Sequence, residues 1–277
     1  MNRKPKESIS IIIPTLNEAD FIGYILYSLS RQTYKQFEVI ISDGNSMDET
    51  IKITQNFAKQ LPKLTIVTAQ KNKRCPAIQR NNGANKAHYE RLLFLDADTI
   101  IPPDFLEKNL LEIVQNQLDC AHPITFPLTK RILDRYLYML TNWGVTLTQR
   151  YFPLAGGWAI FSTKTLHRKI KGFDERLTRI YDDVDYVSRA AKAGGKFGII
   201  KSASPYIFVR RLDKEGIRGA LKNMLIQGIY MGLFGKYKMQ KLIERPYGKF
   251  GTFKKTPLEV RKTNNFLKLL KELIEKY

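Results

Sequence analysis

The chain has 277 residues, 43% of them hydrophobic, and sets 46 Lys and Arg against 26 Asp and Glu for a formal net charge of +20. That length suits one α/β domain of roughly 200 to 250 residues with an appendage. Two cysteines, Cys75 and Cys120, exclude a disulfide framework and have no metal-ligand spacing, which points to a reducing, cytoplasmic setting. No apolar run approaches the roughly 20 residues of a membrane span, and the one near the N-terminus falls short of the roughly 7 to 15 of a signal-peptide core.

Taken in chain order, Ser8 to Ile13 is β-branched and apolar and predicts a buried strand. Pro14-Thr15-Leu16-Asn17-Glu18 stops it. Asn17 or Asp20 is expected to cap a helix from Phe21 to Arg31, in which Ile22, Ile25, Leu26 and Leu29 recur at helical spacing. A second strand, Phe37 to Ile41, ends in the polar turn Ser42 to Thr50, where Asp48 is the expected N-cap of a helix from Glu49 to about Gln60. A third strand is expected over Leu64 to Thr68, a helix over Ala77 to Tyr89, and a fourth strand over Leu92 to Leu95. Strands alternating with helices argue a parallel sheet covered by helices. Asp96 and Asp98 follow the fourth strand directly. In an open α/β sheet that position faces the crevice where ligands bind. Two hard oxygen ligands one residue apart suit Mg²⁺ or Mn²⁺ carrying a diphosphate. The alternative is a solvated acidic turn. Farther on, Ile132 to Leu147 is apolar and aromatic, with core packing the default and a lipid-facing role open.

The order of four blocks resembles family 2 glycosyltransferases of the GT-A fold. Ile11 to Glu18 resembles the family's opening strand and turn, and Ser42 to Thr50 its nucleoside-binding turn. Asp96-Ala97-Asp98 resembles its metal motif. Gly172-Phe173-Asp174-Glu175 followed by Asp182-Asp183-Val184-Asp185 resembles its acidic catalytic block. The likeness covers about residues 8 to 200, and the joint order is more specific than any single motif. The fold it implies is a Rossmann-like, mostly parallel sheet flanked by helices. The activity it implies is transfer of a sugar from a UDP- or GDP-sugar to an acceptor hydroxyl.

By the same resemblance Asp98 meets the metal, while Asp96 contacts ribose or metal-bound water. Asp43 accepts a hydrogen bond from the nucleobase, and Pro14, Thr15, Asn17 and Glu18 wall the nucleoside. Arg80, with Asn81, reaches nucleotide or sugar, and Gly157 in Gly156-Gly157-Trp158 lets backbone approach the donor. Ala97 completes the metal motif. Asp183 aligns with the general base, although the family usually has Glu where this chain has Asp182. Each has a structural alternative: a turn-former for Asp43, helix-start residues for Asn17 and Glu18, a solvated helix face for Arg80, and stabilisation of a helix N-terminus for the acidic block. With one base and no carboxylate placed as a nucleophile, inversion is the expected outcome. No Gln-x-x-Arg-Trp motif is present, which argues against a processive synthase. A nucleotidyltransferase of similar fold would want a Gly-rich basic loop near the N-terminus, and Pro14 to Asp20 has neither feature. The remaining alternative is a catalytically silent protein that binds membrane or nucleic acid.

The expected division is a catalytic domain over 1–210 and a basic helical extension over 211–277. Residues 201–277 hold 18 Lys and Arg and 6 Asp and Glu, about +12, which attracts polyanions. Arg210 and Arg211 follow the strand-like Tyr206 to Val209 and are either diphosphate clamps or solvated surface. Ile217, Leu221, Met224, Leu225 and Ile229 share a helical face beside basic residues, as does the series Phe266, Leu270, Leu273, Tyr277 after the capping box Thr256 to Glu259. An anionic membrane surface, at the inner face of the plasma membrane, is therefore a candidate partner, with packing on the catalytic domain as the alternative. Nucleic acid is disfavoured because no recognition module is present.

Overall fold

The computed structural model describes residues 5, 7–69, 75–178 and 181–210, and beyond them 216, 218, 219, 233, 235–238 and 272. Arg211, the apolar positions 217–229, the capping box at 256–259 and the series 266–277 lie outside the described residues. The first half alternates as its periodicity predicts: β1 (Ile9–Thr15), α1 (Ile22–Ser30), β2 (Phe37–Asp43), α2 (Thr50–Gln55), β3 (Leu64–Thr68), α3 (Pro76–Lys86) and β4 (Arg91–Leu95). Then come β5 (Thr99–Ile100), α4 (Phe105–Gln115), β6 (Cys120–Pro123), β7 (Phe126–Leu128), α5 (Ile132–Thr148) and β8 (Ala159–Thr163). The last elements are α6 (Lys164–Lys169), α7 (Asp182–Lys192), β9 (Phe197–Ile200) and β10 (Tyr206–Phe208).

Seven strands form one sheet in the order β3-β2-β1-β4-β8-β6-β9. β1 runs parallel to β2 and β4, with Ile12 opposite Ile40 and Phe94, while β8 is antiparallel to both β4 and β6. β1, β2 and β4 are buried on both faces, which is why these strands read as continuous apolar runs. Ile11 and Ile13 pack on one side with Phe21, Ile25 and Phe105. Ile12, Ile40 and Phe94 pack on the other with Phe173 and Tyr186. Because β1, β2 and β4 are parallel and in register, their C-terminal ends bring Thr15, Asp43 and Asp96 to one edge. A small second sheet, β5-β10-β7, lies beyond that edge. There the Phe208 amide donates to the Asp98 carbonyl.

Four expectations need correcting. Neither Asn17 nor Asp20 caps α1; the helix starts after Phe21 with no side-chain cap. Asn17 has φ 55° and its side chain accepts the Met47 amide instead. α2 stops at Gln55 and not near Gln60, because the chain tightens into three-residue turns with Phe57 donating to Thr54 and Gln60 to Phe57. α3 stops at Lys86 and not at Tyr89. The His88 amide is drawn to the buried Glu38 carboxylate and the Tyr89 amide to Ser10 Oγ, so Ala87 turns extended. The fourth is α5, whose apolar side is not core. Leu133, Met139, Leu140 and Trp143 are 68%, 55%, 59% and 64% exposed.

Candidate active site

Two turns at the sheet edge are stitched together. Thr15 Oγ1 donates to Asp43 Oδ1 at 3.0 Å, and the Thr15 carbonyl accepts both the Gly44 amide and Gln79 Nε2 at 2.7 Å. A Cβ at Gly44 would stand 2.2 Å from that Gln79 nitrogen and 3.3 Å from the Thr15 carbonyl, so a larger residue would have to push the Gln79 amide off Thr15. The amides of Asn17, Glu18 and Ala19 donate across to Ser46, Thr50 and Asp48. Asp48 Oδ1 also accepts the Thr50 amide at 3.0 Å, so it serves the start of α2 from just outside the helix. Asp43 is buried, and both its oxygens accept from Ser46, one from the hydroxyl and one from the amide. Pro14 pairs with Ser42 in the strand register behind this rim.

Two arginines organise the acids. Arg80, on α3, is almost completely buried and not a solvated helix face. Its Nη1 donates to Asp182 at 2.5 Å and its Nη2 to Asp96 at 2.7 Å and to the Gly157 carbonyl at 3.2 Å. Phe173 lies beneath the guanidinium, 5.3 Å from ring centre to Cζ. Arg210, directly after β10, donates to Asp98 through Nε at 2.8 Å and Nη2 at 2.5 Å. Its Nη1 and Nη2 also reach Glu18 at 3.0 and 3.3 Å. Its Cζ sits 4.4 Å from the centre of the Phe21 ring. With its side chain 14% exposed, Arg210 is not solvated surface. It ties the opening turn to the second acid of the Asp96-Ala97-Asp98 motif, in which Ala97 is buried.

The acidic block opens α7. Tyr181, just ahead of it, holds a left-handed backbone at φ 67°, a conformation uncommon outside glycine and found at functional turns. The helix then presents Asp182, Asp183 and Asp185 in its first turn, where the dipole favours negative charge. Asp182 goes to Arg80, and Asp185 pairs with Arg189 on its own helix and with Lys236. Among the described residues Asp183 makes no ion pair, and its Oδ1 accepts the Val184 amide at 2.7 Å. Burial, and then the charge of Asp182, push its carboxyl up to about 7. Burial likewise lifts Glu18 to about 7 and Asp96 to about 6, against the pull of Arg210 and Arg80 respectively. Gly157 is where these groups converge. A Cβ there would lie 2.8 Å from Arg80 Nη2, 3.4 Å from Asp96 Oδ2 and 3.5 Å from Asp183 Oδ2. Both ends of the Asn81 amide are taken by the Phe173 backbone, and its nitrogen also reaches Glu175.

Five carboxylates thus face two guanidinium groups, a surplus of negative charge that a divalent cation would offset. Among the described residues no three such ligands converge on one point. The chain supplies a partial shell, and the residues fit a cation that arrives with diphosphate oxygens, as Mg²⁺ commonly does.

His122 escaped the sequence reading. It is buried and held neutral, its pKa pushed down to about 4 by burial. Its Nδ1 meets the Ala159 carbonyl at 2.7 Å and its Nε2 accepts the Gly156 amide at 3.4 Å. It therefore fixes the loop that carries Gly157. No spacing announces it, because the contact joins β6 to a loop more than thirty residues away.

The family model for glycosyl transferase family 2 matches residues 10–169, which includes the first three blocks but neither Gly172 to Glu175 nor the acids that open α7. A β-1,3-glucosyltransferase of Campylobacter jejuni that acts on GalNAc(5)-diNAcBac-PP-undecaprenol is 34% identical over 90 residues, 32% of this chain and 29% of that one. Among solved structures, Staphylococcus aureus TarS 1-349 with UDP superimposes with a TM-score of 0.62 at 22% identity, covering 73% of this chain and 60% of that one. The mannosyltransferase PcManGT of Pyrobaculum calidifontis, with GDP-Man and Mn²⁺, gives 0.61 at 21% identity over 74% and 56%. These two likenesses establish the GT-A fold. The chain spans less than half the length of the curated relatives it matches, with aligned shares of 45%, 29% and 36% for three of them. A family model that covers more than half of this chain, over a sheet of GT-A order, makes it a member of glycosyl transferase family 2.

Proposed function

We propose that this chain is an inverting glycosyltransferase that moves one sugar from a UDP- or GDP-sugar to an acceptor hydroxyl. The observation that carries the reading is the convergence of Asp96, Arg80 and Asp183 around Gly157, whose lack of a side chain lets these three groups face one another at the sheet edge. Asp183, with its pKa near neutrality, suits a general base. It takes the proton of the acceptor hydroxyl as that oxygen bonds to the anomeric carbon. The bond from that carbon to the diphosphate breaks on the opposite side, and the nucleoside diphosphate leaves with the electron pair. One displacement inverts the centre.

In this reading Asp43 and the rim from Pro14 to Glu18 hold the nucleoside. Asp98, with Asp96 nearby, would hold Mg²⁺ or Mn²⁺, which when bound neutralises charge on the leaving diphosphate. Arg210, released from Asp98, is within the same corner to meet a phosphate oxygen. Residues 1–210 are the catalytic unit and 211–277 an accessory basic extension. The Campylobacter relative's lipid-linked acceptor favours an acceptor of the cell envelope.

The test is a hydrolysis and transfer screen over nucleotide sugars with Mn²⁺ present, run beside Asp183→Asn. We expect one donor class to turn over. The variant should retain donor affinity while losing transfer by about 10² to 10⁴-fold. Turnover at the wild-type rate in the variant would remove Asp183 as the base, and no turnover of any donor class would remove the reading.

A further inference from the structure

We infer that the exposed side of α5 is a docking surface for an anionic lipid bilayer, which the helix enters lying flat at the level of the headgroups. Leu133, Tyr136, Met139, Leu140, Trp143 and Leu147 recur at steps of three and four, so they form one stripe along the helix. Every one of them is more than half exposed. A 17-residue helix extends about 25 Å at 1.5 Å per residue, and single-sided apolar exposure of that length is unusual for a water-facing surface. Immediately beyond its end Tyr151 and Phe152 continue the patch, at 82% and 68% exposure. Aromatic residues of this kind settle at membrane–water interfaces.

Charge selects the occupant. Lys130, Arg131, Arg135 and Arg150 are exposed beside the stripe. Between Asp119 and Asp174 the sequence has a single acid, Asp134, which is buried and paired with Arg131. Within this stretch the exposed charged residues are all cations, and an apolar face with such neighbours suits anionic headgroups over acyl chains. A second copy would bring the same cations against these, and the basic segment after residue 210 would do likewise, so both are repelled where a bilayer is attracted. The opposite side of α5 reaches the proposed active site: Val209 packs on Leu137 and Tyr138, and the next residue is Arg210, on Asp98 and Glu18. A membrane under α5 would therefore sit beside the cleft. On the proposed function, this makes the acceptor hydroxyl one carried by a lipid.

The full chain is to be sedimented with vesicles of equal parts phosphatidylglycerol and phosphatidylcholine, and with phosphatidylcholine alone. Trp143 fluorescence is followed with brominated acyl chains, and Trp143→Phe isolates the signal of Trp158. We expect binding to the anionic vesicles, quenching of Trp143, and about tenfold or greater loss of binding in Met139→Glu with Leu140→Glu. Both positions are exposed, so an unchanged melting temperature will establish that the variant is folded. Should it be unfolded, Trp143 quenching in the wild type decides alone. Three results would overturn the inference: no binding to anionic vesicles at low salt; binding that the double variant retains with Trp143 unquenched, which assigns adhesion to the basic extension; or a concentration-dependent dimer lost in the double variant, which assigns the stripe to a second copy. None of these readouts uses turnover, so failure here leaves the proposed transfer reaction standing.

Discussion

Arg210→Met removes one guanidinium from two partly buried carboxylates while keeping an unbranched side chain over Phe21. In the wild type that group makes two hydrogen bonds to Asp98 and two to Glu18. Losing charged hydrogen bonds at a site this enclosed costs about 2–3 kcal/mol. The additional cost depends on pH through Glu18, whose pKa stands at about 7 because burial outweighs Arg210. At pH 5.5 Glu18 is already protonated, so only the Asp98 contacts are lost. At pH 8 the wild-type Glu18 is ionised and paired. The variant escapes an unpaired charge by keeping a proton, which one pH unit above the wild-type pKa costs about 1.4 kcal/mol. The total is about 4 kcal/mol at pH 8 and about 2.5 kcal/mol at pH 5.5. At about 2–4 °C per kcal/mol for a domain of this size, melting should fall by about 8–16 °C at pH 8 and by about 4 °C less at pH 5.5. Differential scanning calorimetry at the two pH values reads both numbers. A fall below about 2 °C at pH 8, or a larger fall at pH 5.5 than at pH 8, would refute the ion-pair account.

Other consequences follow from the same site. Asp98→Asn should weaken Mn²⁺-dependent binding of a nucleoside diphosphate by about tenfold or more, measured by calorimetry with and without metal; equal wild-type affinity under both conditions would count against a metal at Asp98. Gly157→Ala should lower kcat/KM by about 10 to 100-fold, because its Cβ, 2.8 Å from Arg80 Nη2, displaces the arginine that aligns Asp96 and Asp182. Because Arg80 is buried and paired with Asp96 and Asp182, the same displacement should also lower the melting temperature; an unchanged melting temperature with normal kinetics would contradict this. In the ligand-free protein Glu18, Asp96 and Asp183 have folded pKa values of about 7, 6 and 7, all above their unfolded values. Their contribution to stability is fully present below about pH 4 and is lost as pH rises through 6 to 7. Urea denaturation should therefore give a lower unfolding free energy at pH 8 than at pH 5.5, and a flat or rising profile would falsify the raised values. Asp174, held low by its hydrogen bonds with Arg176 despite some burial, acts in the other direction only below about pH 4.

The elements of the first half were legible because their information is local. Strand runs such as Ile9 to Ile13 and Leu92 to Leu95 are apolar on both faces, and Ile22, Ile25, Leu26 and Leu29 repeat at the helical period that the fold buries. The Asp96-Ala97-Asp98 motif was legible for the same reason, since it follows directly on an apolar strand run, whereas the Asp182–Asp185 block was legible only through its resemblance to the family's acidic block. Tertiary structure decided how those acids are paired. Arg80 joins Asp182 across 102 residues and Arg210 joins Glu18 across 192, and nothing in local periodicity says which arginine on a surface-like stretch will turn inward. His122 is a similar case, since its role comes from a loop that the sheet brings over it. The side of α5 is the sharpest instance. Its three-and-four spacing fixes which residues share a face, but burial depends on whether another element arrives to cover that face. The small sheet and Val209 take the opposite side, so the apolar stripe is left outward. A hydrophobic period determines a face, and only the packing of the whole chain determines what that face meets.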